Sequence, residues 1–157
     1  MKKSKTKILL VDDEPDILEI VGYNLAQEGY QIIKAENGKI AIEKAKKELP
    51  HLIIMDVMMP EMDGMEACEN IRKIPELKNV IITFFTARSE DYSQVAGFDV
   101  GADDYITKPI KPKLLVSKVK ALLRRLKEEE QNSETLNLGG IEINREEYKI
   151  IKDEVEI

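Results

Sequence analysis

The chain has 157 residues, 43% of them hydrophobic, with 24 Lys and Arg against 30 Asp and Glu and a formal net charge of −6. That length buries one full core and a fragment of a second domain, and the acidic balance argues against a nucleic-acid-binding body within these residues. One cysteine, Cys68, excludes an internal disulfide and fits a reducing compartment, and a single histidine, His51, leaves no Cys/His metal site to assemble.

The opening MKKSKTK is basic, but only four apolar residues, 8–11, follow before Asp12. They are too few for a signal-peptide core or a membrane span, so the chain reads as cytoplasmic with no membrane partner. Residues 8–11 form a buried strand that delivers Asp12 and Asp13 to its carboxyl end. Pro15 and Asp16 suit a helix start, and Ile17, Ile20, Val21 and Leu25 fall on one helical face until Gly29 stops it. A more polar strand over 30–35 fits a sheet edge, and Asn37-Gly38 turns the chain into a helix over 39–49, ended by Pro50. His51 reads as a strand-entry residue. LIIM at 52–55 is an unbroken apolar run, as in a strand buried on both faces, and it ends on Asp56.

A helix begins near Gly64, turns Met65, Cys68 and Ile71 inward and breaks by Pro75, with Cys68 serving as a small apolar side chain. A buried strand over 80–85 delivers Thr86, and Ser89 can cap a helix that closes at Gly101. A short strand over 104–107 ends at Lys108-Pro109. Pro112 starts the next helix, whose inner face is Leu115, Val119, Leu122 and Leu126. Five strand–helix alternations predict a parallel sheet covered on both faces, complete by about residue 126. The polar run 127–135 reads as a helix end plus linker. From 136 to 157, short alternating segments split by Gly139-Gly140 and polar turns read as a β-meander, too small to bury a core alone. The chain is thus expected to stop inside a second domain.

In a parallel sheet the carboxyl ends lie along one edge, where ligands bind. Asp12 and Asp13, Asp56, Thr86 and Lys108 all fall there. Crowded carboxylates resist ionisation unless a cation is shared. All-oxygen ligands point to Mg²⁺, which takes one or two carboxylates plus waters and phosphate oxygens. Lys108 would neutralise an incoming anion and Thr86 donate a hydrogen bond to it. Asp56 is then a candidate nucleophile for phosphoryl transfer.

VDDEP at 11–15, MDVMMPEMDG at 55–64, FFTARSE at 84–90 and GADDYITKP at 101–109 resemble the receiver domain of two-component response regulators. The resemblance implies a flavodoxin-like (βα)5 fold with strand order 2-1-3-4-5 and phosphorylation by a sensor histidine kinase. It makes Asp56 the phosphoacceptor, and has Asp12, Asp13, Asp56 and the Met58 backbone carbonyl hold Mg²⁺. It has Thr86 and Lys108 contact the phosphoryl group, Tyr105 couple its rotamer to Thr86, and the Lys108–Pro109 peptide be cis. Met58 and Arg88 would flank the path of hydrolytic water, and neither carries a carboxylate or amide, so self-dephosphorylation should be slow.

The later segments, KALLRR and LNLGGIEINREEYKI, are similar to the class with a C-terminal winged-helix DNA-binding domain. On that basis residues 1–126 are the receiver, 127–135 a linker and 136–157 the first meander of an incomplete DNA-binding domain. DNA would then be a partner only through the missing C-terminal part. The class also implies a phosphorylation-dependent homodimer. Asp104 would pair with Lys118 and Asp99 with Lys120, while the third pair is replaced by Gln94 and Leu114. A stand-alone receiver is the alternative. A haloacid-dehalogenase-like phosphatase needs a second Asp two residues past the nucleophile, where this chain has Met58. A flavodoxin-like electron carrier fits poorly with an acidic loop after Val11 and no tryptophan.

Overall fold

The computed structural model describes residues 5–87, 96 and 99–139. Its elements are β1 (Lys7–Val11), α1 (Pro15–Gln27), β2 (Gln31–Ala35), α2 (Gly38–Glu48), β3 (Leu52–Met55), α3 (Gly64–Arg72), β4 (Ile81–Thr86), β5 (Asp104–Thr107) and α4 (Pro112–Gly139). All strand pairs are parallel and the order is β2-β1-β3-β4-β5, the flavodoxin-like arrangement expected. Residues 1–120 form one compact unit, and the site geometry lies within it.

The side-chain period of two explains how the sheet is covered. Leu9 and Val11, Ile53 and Met55, and Ile82 and Phe84 point to one face, where they pack with Ala41 and Ala45 of α2 and Ala67, Cys68 and Ile71 of α3. On the other face Leu10, Ile54 and Phe85 meet Ile17, Leu18 and Val21 of α1. Central strands β3 and β4 are therefore buried along their whole length and β1 from Ile8 on, with Thr83 and Thr86 the polar residues among them. Edge strand β2 is more open, with Gln31 and Lys34 exposed and Ile32 and Ile33 half-buried.

Local chemistry sets the helix starts. Asn37 accepts the Ile40 N–H at 2.9 Å and Asp63 accepts the Glu66 N–H at 2.9 Å, each satisfying a donor that the first helical turn leaves free. Pro15 occupies the first turn of α1, where a missing N–H costs nothing.

Two differences from the expected elements have physical causes. A 3₁₀ turn, Pro75–Leu77, follows α3, because Pro75 is suited to a first turn and Leu77 is buried by it. The last helix runs to Gly139, through the expected linker at 127–135 and the expected strand start at 136–138. Between Leu126 and Gly139 the chain has no proline or glycine and is rich in Leu, Lys, Glu and Gln, all strong helix formers, which outweigh a three-residue alternation. The expected helix from Ser89 lies mostly outside the described residues. Ala96 and Asp99 within it are helical, and the Val100 N–H donates to the Ala96 carbonyl at 3.1 Å. The rest of the expected meander, after Gly139, also lies outside them.

Candidate functional site

The carboxyl edge of the sheet gathers most of the predicted residues. Asp12 follows β1 and Asp56 follows β3, and the Asp56 N–H donates to the Val11 carbonyl at 2.9 Å, so the pairing of β1 with β3 carries both carboxylates to the same level. Asp12 and Asp56 are only 3% and 5% exposed, whereas Asp13 and Glu14 are open to solvent. Asp12, Asp13, Glu14 and Asp56 each place a ligand atom within 4.8 Å of the others. The Glu14 N–H donates to Asp12 Oδ1 at 2.9 Å and the Met58 N–H to Asp56 Oδ1 at 3.2 Å, fixing both carboxylates from their own loops.

Lys108 enters from the end of β5. Its Nζ lies 2.8 Å from Asp12 Oδ2, 3.5 Å from Asp56 Oδ2 and 3.5 Å from Glu14 Oε2, and 5.4 Å from the Phe85 ring centroid. The Lys108–Pro109 peptide is cis, as expected. Burial works against the Lys108 ammonium, but the bond to Asp12 and the charges of Asp56, Asp12 and Glu14 outweigh it and raise its pKa. Burial raises the Asp12 pKa, with Asp56 adding to it, and the bonds from Lys108 and the Glu14 N–H offset this only in part. The site is therefore short of positive charge. An oxygen-only donor set of this kind fits a hard divalent cation such as Mg²⁺.

Thr86 ends β4 fully buried, and its carbonyl accepts the Lys108 N–H at 2.8 Å. Tyr105 stands opposite Phe84 across β4 and β5, half-buried, with the two rings edge to face at 6.1 Å and 70°. The structure thus brings Asp12, Asp13, Asp56 and Lys108 together, with Thr86 at the end of the next strand and Tyr105 opposite Phe84, two residues before Thr86. Arg88 and Gln94 lie outside the described residues.

The expected dimer residues stand apart from this cluster. Leu114 is 52% exposed on α4. Asp104 Oδ1 accepts its neighbour's N–H, from Tyr105, at 2.8 Å. Lys120, expected to meet Asp99 of a second copy, is 2.7 Å from Glu28 Oε1 at the end of α1. Sequence spacing gave no sign of that contact, because Glu28 and Lys120 meet only once α1 and α4 lie side by side.

Other residues emerge only from the structure. Glu14 joins the carboxylates, and its place in the DDEP run was the available signal. Gly64 lies against the Asp56 carbonyl so closely that a Cβ would sit 2.1 Å from its oxygen. At the opposite edge, Arg72 Nη2 donates to Asp103 Oδ2 at 2.9 Å and its Nε to the Gly101 carbonyl at 2.8 Å, while Asp103 Oδ2 also accepts the Ile82 N–H at 2.9 Å. This clamp ties α3 to the entry of β5. His51 is likewise structural, its Nδ1 accepting the Lys7 N–H at 3.1 Å. Beside Lys108 an apolar groove of about 390 Å³ opens, lined by Ile17, Ile20, Leu25, Pro109, Ile110 and Leu115 among others.

Residues 8–120 match the response regulator receiver domain. The chain is 42% identical over 131 residues to the alkaline phosphatase synthesis transcriptional regulatory protein PhoP of Bacillus subtilis, covering 83% of this chain and 54% of that protein. It is 39% identical over 160 residues to the transcriptional regulatory protein ResD of the same organism, covering 98% of this chain and 65% of that one. Among solved structures, the chemotaxis protein CheY4 of Vibrio cholerae matches with a TM-score of 0.72 and 32% identity, over 74% of this chain and 98% of CheY4. The chain spans between half and two thirds of the length of these two curated relatives.

Proposed function

Since the chain belongs to the response regulator receiver domain family, we propose that Asp56 accepts a phosphoryl group from a sensor histidine kinase and that the resulting charge resets a surface controlling transcriptional output. The single observation that carries this reading is the half-buried Lys108 ammonium shared between Asp12 and Asp56 at the strand ends.

Held by Asp12, Asp13, Asp56 and the Met58 carbonyl, Mg²⁺ would supply charge neutralisation for the phosphoryl oxygens. The remaining work belongs to the chain. An Asp56 carboxylate oxygen forms a bond to phosphorus as the bond to the kinase histidine nitrogen breaks, and that nitrogen keeps the electron pair. Met58 N–H holds the Asp56 carboxylate in orientation through Oδ1. Lys108, already 3.5 Å from Asp56 Oδ2, offers its ammonium to the incoming anion. Thr86 donates its hydroxyl to a phosphoryl oxygen, and the space it leaves lets Tyr105 turn further in against Phe84. The chain acts as a signalling protein that assists its own phosphorylation and dephosphorylation. The apolar groove beside Lys108, with Ile20 52% exposed on its rim, supports docking of an apolar helix face of the kinase close to the site.

The names of PhoP and ResD as transcriptional regulators support an output on DNA, through a C-terminal domain of the parent protein and not through residues 1–126. In this reading residues 127–135 connect the receiver to that domain and 136–157 begin it. Phosphorylation drives a homodimer through Asp104 with Lys118, Asp99 with Lys120, and Leu114. The experiment is labelling by acetyl phosphate with and without Mg²⁺. One phosphoryl group per chain is expected, at Asp56, only with the divalent cation. Labelling of Asp56→Asn at the wild-type rate overturns the assignment.

A further inference from the structure

Among the described residues, Met58 differs from the other sulfur-bearing side chains. Met55 and Met59 are buried and Met62 and Met65 half-buried, whereas Met58 is 56% exposed. Cys68 is fully buried, and burial pushes its thiol up to about 11, so it holds little of the thiolate that oxidants attack. The exposed thioether is also tied to the site, because the Met58 N–H donates to Asp56 Oδ1 at 3.2 Å.

We propose that Met58 is an oxidation site and that its sulfoxide lowers the phosphorylated fraction of Asp56. The oxidant is a peroxide. A sulfur lone pair forms a bond to one peroxide oxygen, the O–O bond breaks, and the departing hydroxide leaves as water after taking the proton. Sulfur loses two electrons and the peroxide gains them. The product replaces a weak acceptor with a polar S–O group at the mouth of an already acidic site. Its negative oxygen opposes an anionic phosphoryl donor and accepts a hydrogen bond from water near the phosphoryl group. Both effects act in one direction. The second amounts to about one hydrogen bond to the hydrolytic transition state, roughly a two- to tenfold shorter lifetime.

The functional consequence rests on the phosphoacceptor reading above, while the oxidation itself does not. The test treats the full chain with graded hydrogen peroxide and maps sulfoxides by peptide mass spectrometry. Met58 is expected to oxidise first, well before Met55 and Met59. Chain carrying one added oxygen is then labelled with acetyl phosphate and Mg²⁺ and its decay followed beside untreated chain. Met58→Leu, which keeps the backbone carbonyl and lacks the sulfur, is treated identically. A two- to tenfold loss of lifetime in the wild type, absent from Met58→Leu and reversed by methionine sulfoxide reductase, supports the proposal. Earlier oxidation of Met55, Met59, Met62 or Met65, an unchanged lifetime, or an equal loss in Met58→Leu overturns it. Failure of untreated chain to label at Asp56 overturns the phosphoacceptor reading and the consequence with it, and the oxidation map then decides the modification site alone.

Discussion

Replacing Gly64 by Ala tests how the site is built. Gly64 opens α3, and a Cβ there would lie 2.1 Å from the Asp56 carbonyl oxygen and 3.0 Å from both the Asp56 carbonyl carbon and Val57 Cα. Real Cβ atoms essentially never come within 3.0 Å of another heavy atom, so the helix start or the acidic loop must move by about 0.9 Å. Both answers are costly. Moving α3 strains the Gly64 N–H bond to the Val57 carbonyl at 2.9 Å and the Asp63 cap on Glu66 at 2.9 Å. Overpacking of about 1–3 kcal/mol together with about 1 kcal/mol for each weakened bond gives a loss of about 3–5 kcal/mol. Moving the loop instead displaces Asp56, and a misplacement of about 1 Å costs up to about a hundredfold in rate. Urea unfolding gives the first quantity and the initial rate of acetyl phosphate labelling the second. Gly22→Ala is the control, since its Cβ meets only side-chain carbons, the nearest being Lys34 Cε at 3.0 Å, and it should be neutral or stabilising. A Gly64→Ala chain within about 0.5 kcal/mol of wild type and labelling at its rate would refute the reasoning.

Thr86→Ala should leave labelling of Asp56 within a few fold, because in the proposed function the hydroxyl meets the phosphoryl group and not the nucleophile. It should abolish the shift of Tyr105 resonances on phosphorylation, and a full shift would count against a Thr86–Tyr105 switch. In sedimentation the chain should be monomeric alone and dimeric with beryllofluoride and Mg²⁺. Lys118→Glu should abolish the dimer, while Lys120→Ala should weaken it less than Lys118→Ala, because Glu28 already holds Lys120 at 2.7 Å. Each exposed pair contributes only about 0.2–1 kcal/mol, so monomers at about 100 μM with the mimic bound would refute that surface.

The parts of the fold written in contiguous residues were the legible ones. ILLV and LIIM are apolar without a break and IITFF is broken only by Thr83, and each run leads straight into the residue it must deliver, so strands and site residues came from one signal. Parallel pairing then placed Asp12 and Asp56 side by side without further information. What stayed hidden depends on approach distances or on balances between weak preferences. Gly64 looks like any turn glycine until the Asp56 carbonyl is seen above it. The Glu28–Lys120 pair spans two helices that are neighbours only in the fold. The extent of α4 past Leu126 turned on helix propensity against polar texture, a contest of tenths of a kcal/mol per residue. The Arg72–Asp103 clamp joins residues 31 apart and carries no periodicity at all.

The acidic site should cost the chain stability until a cation is bound, and Asp12 is where that cost is measurable. Its carboxyl holds a proton more tightly in the fold than in the unfolded chain, first because it is buried and further because Asp56 repels its charge. A raised folded value means that the contribution of this group is fully present at low pH. It is lost as pH rises past the ordinary carboxylate value, about 3.9, toward the value in the fold. Without metal, the Asp12 contribution should therefore decline as pH rises above the ordinary carboxylate value, against the usual trend for salt-bridged carboxylates. Mg²⁺ should reverse this, because in the proposed function it binds the ionised cluster of the folded chain and nothing comparable in the unfolded one. At a hundred times its dissociation constant it should add about 2.7 kcal/mol near neutral pH. As pH falls, protons compete for Asp12 and the gain should fade, beginning at a higher pH than an ordinary carboxylate would require. Urea unfolding at pH 4.5 to 7.5 with and without Mg²⁺ measures both trends, and Asp12→Asn should flatten both. A Mg²⁺ gain that is the same across that range, or the same in Asp12→Asn, would show that the burial of Asp12 does not govern the cation site.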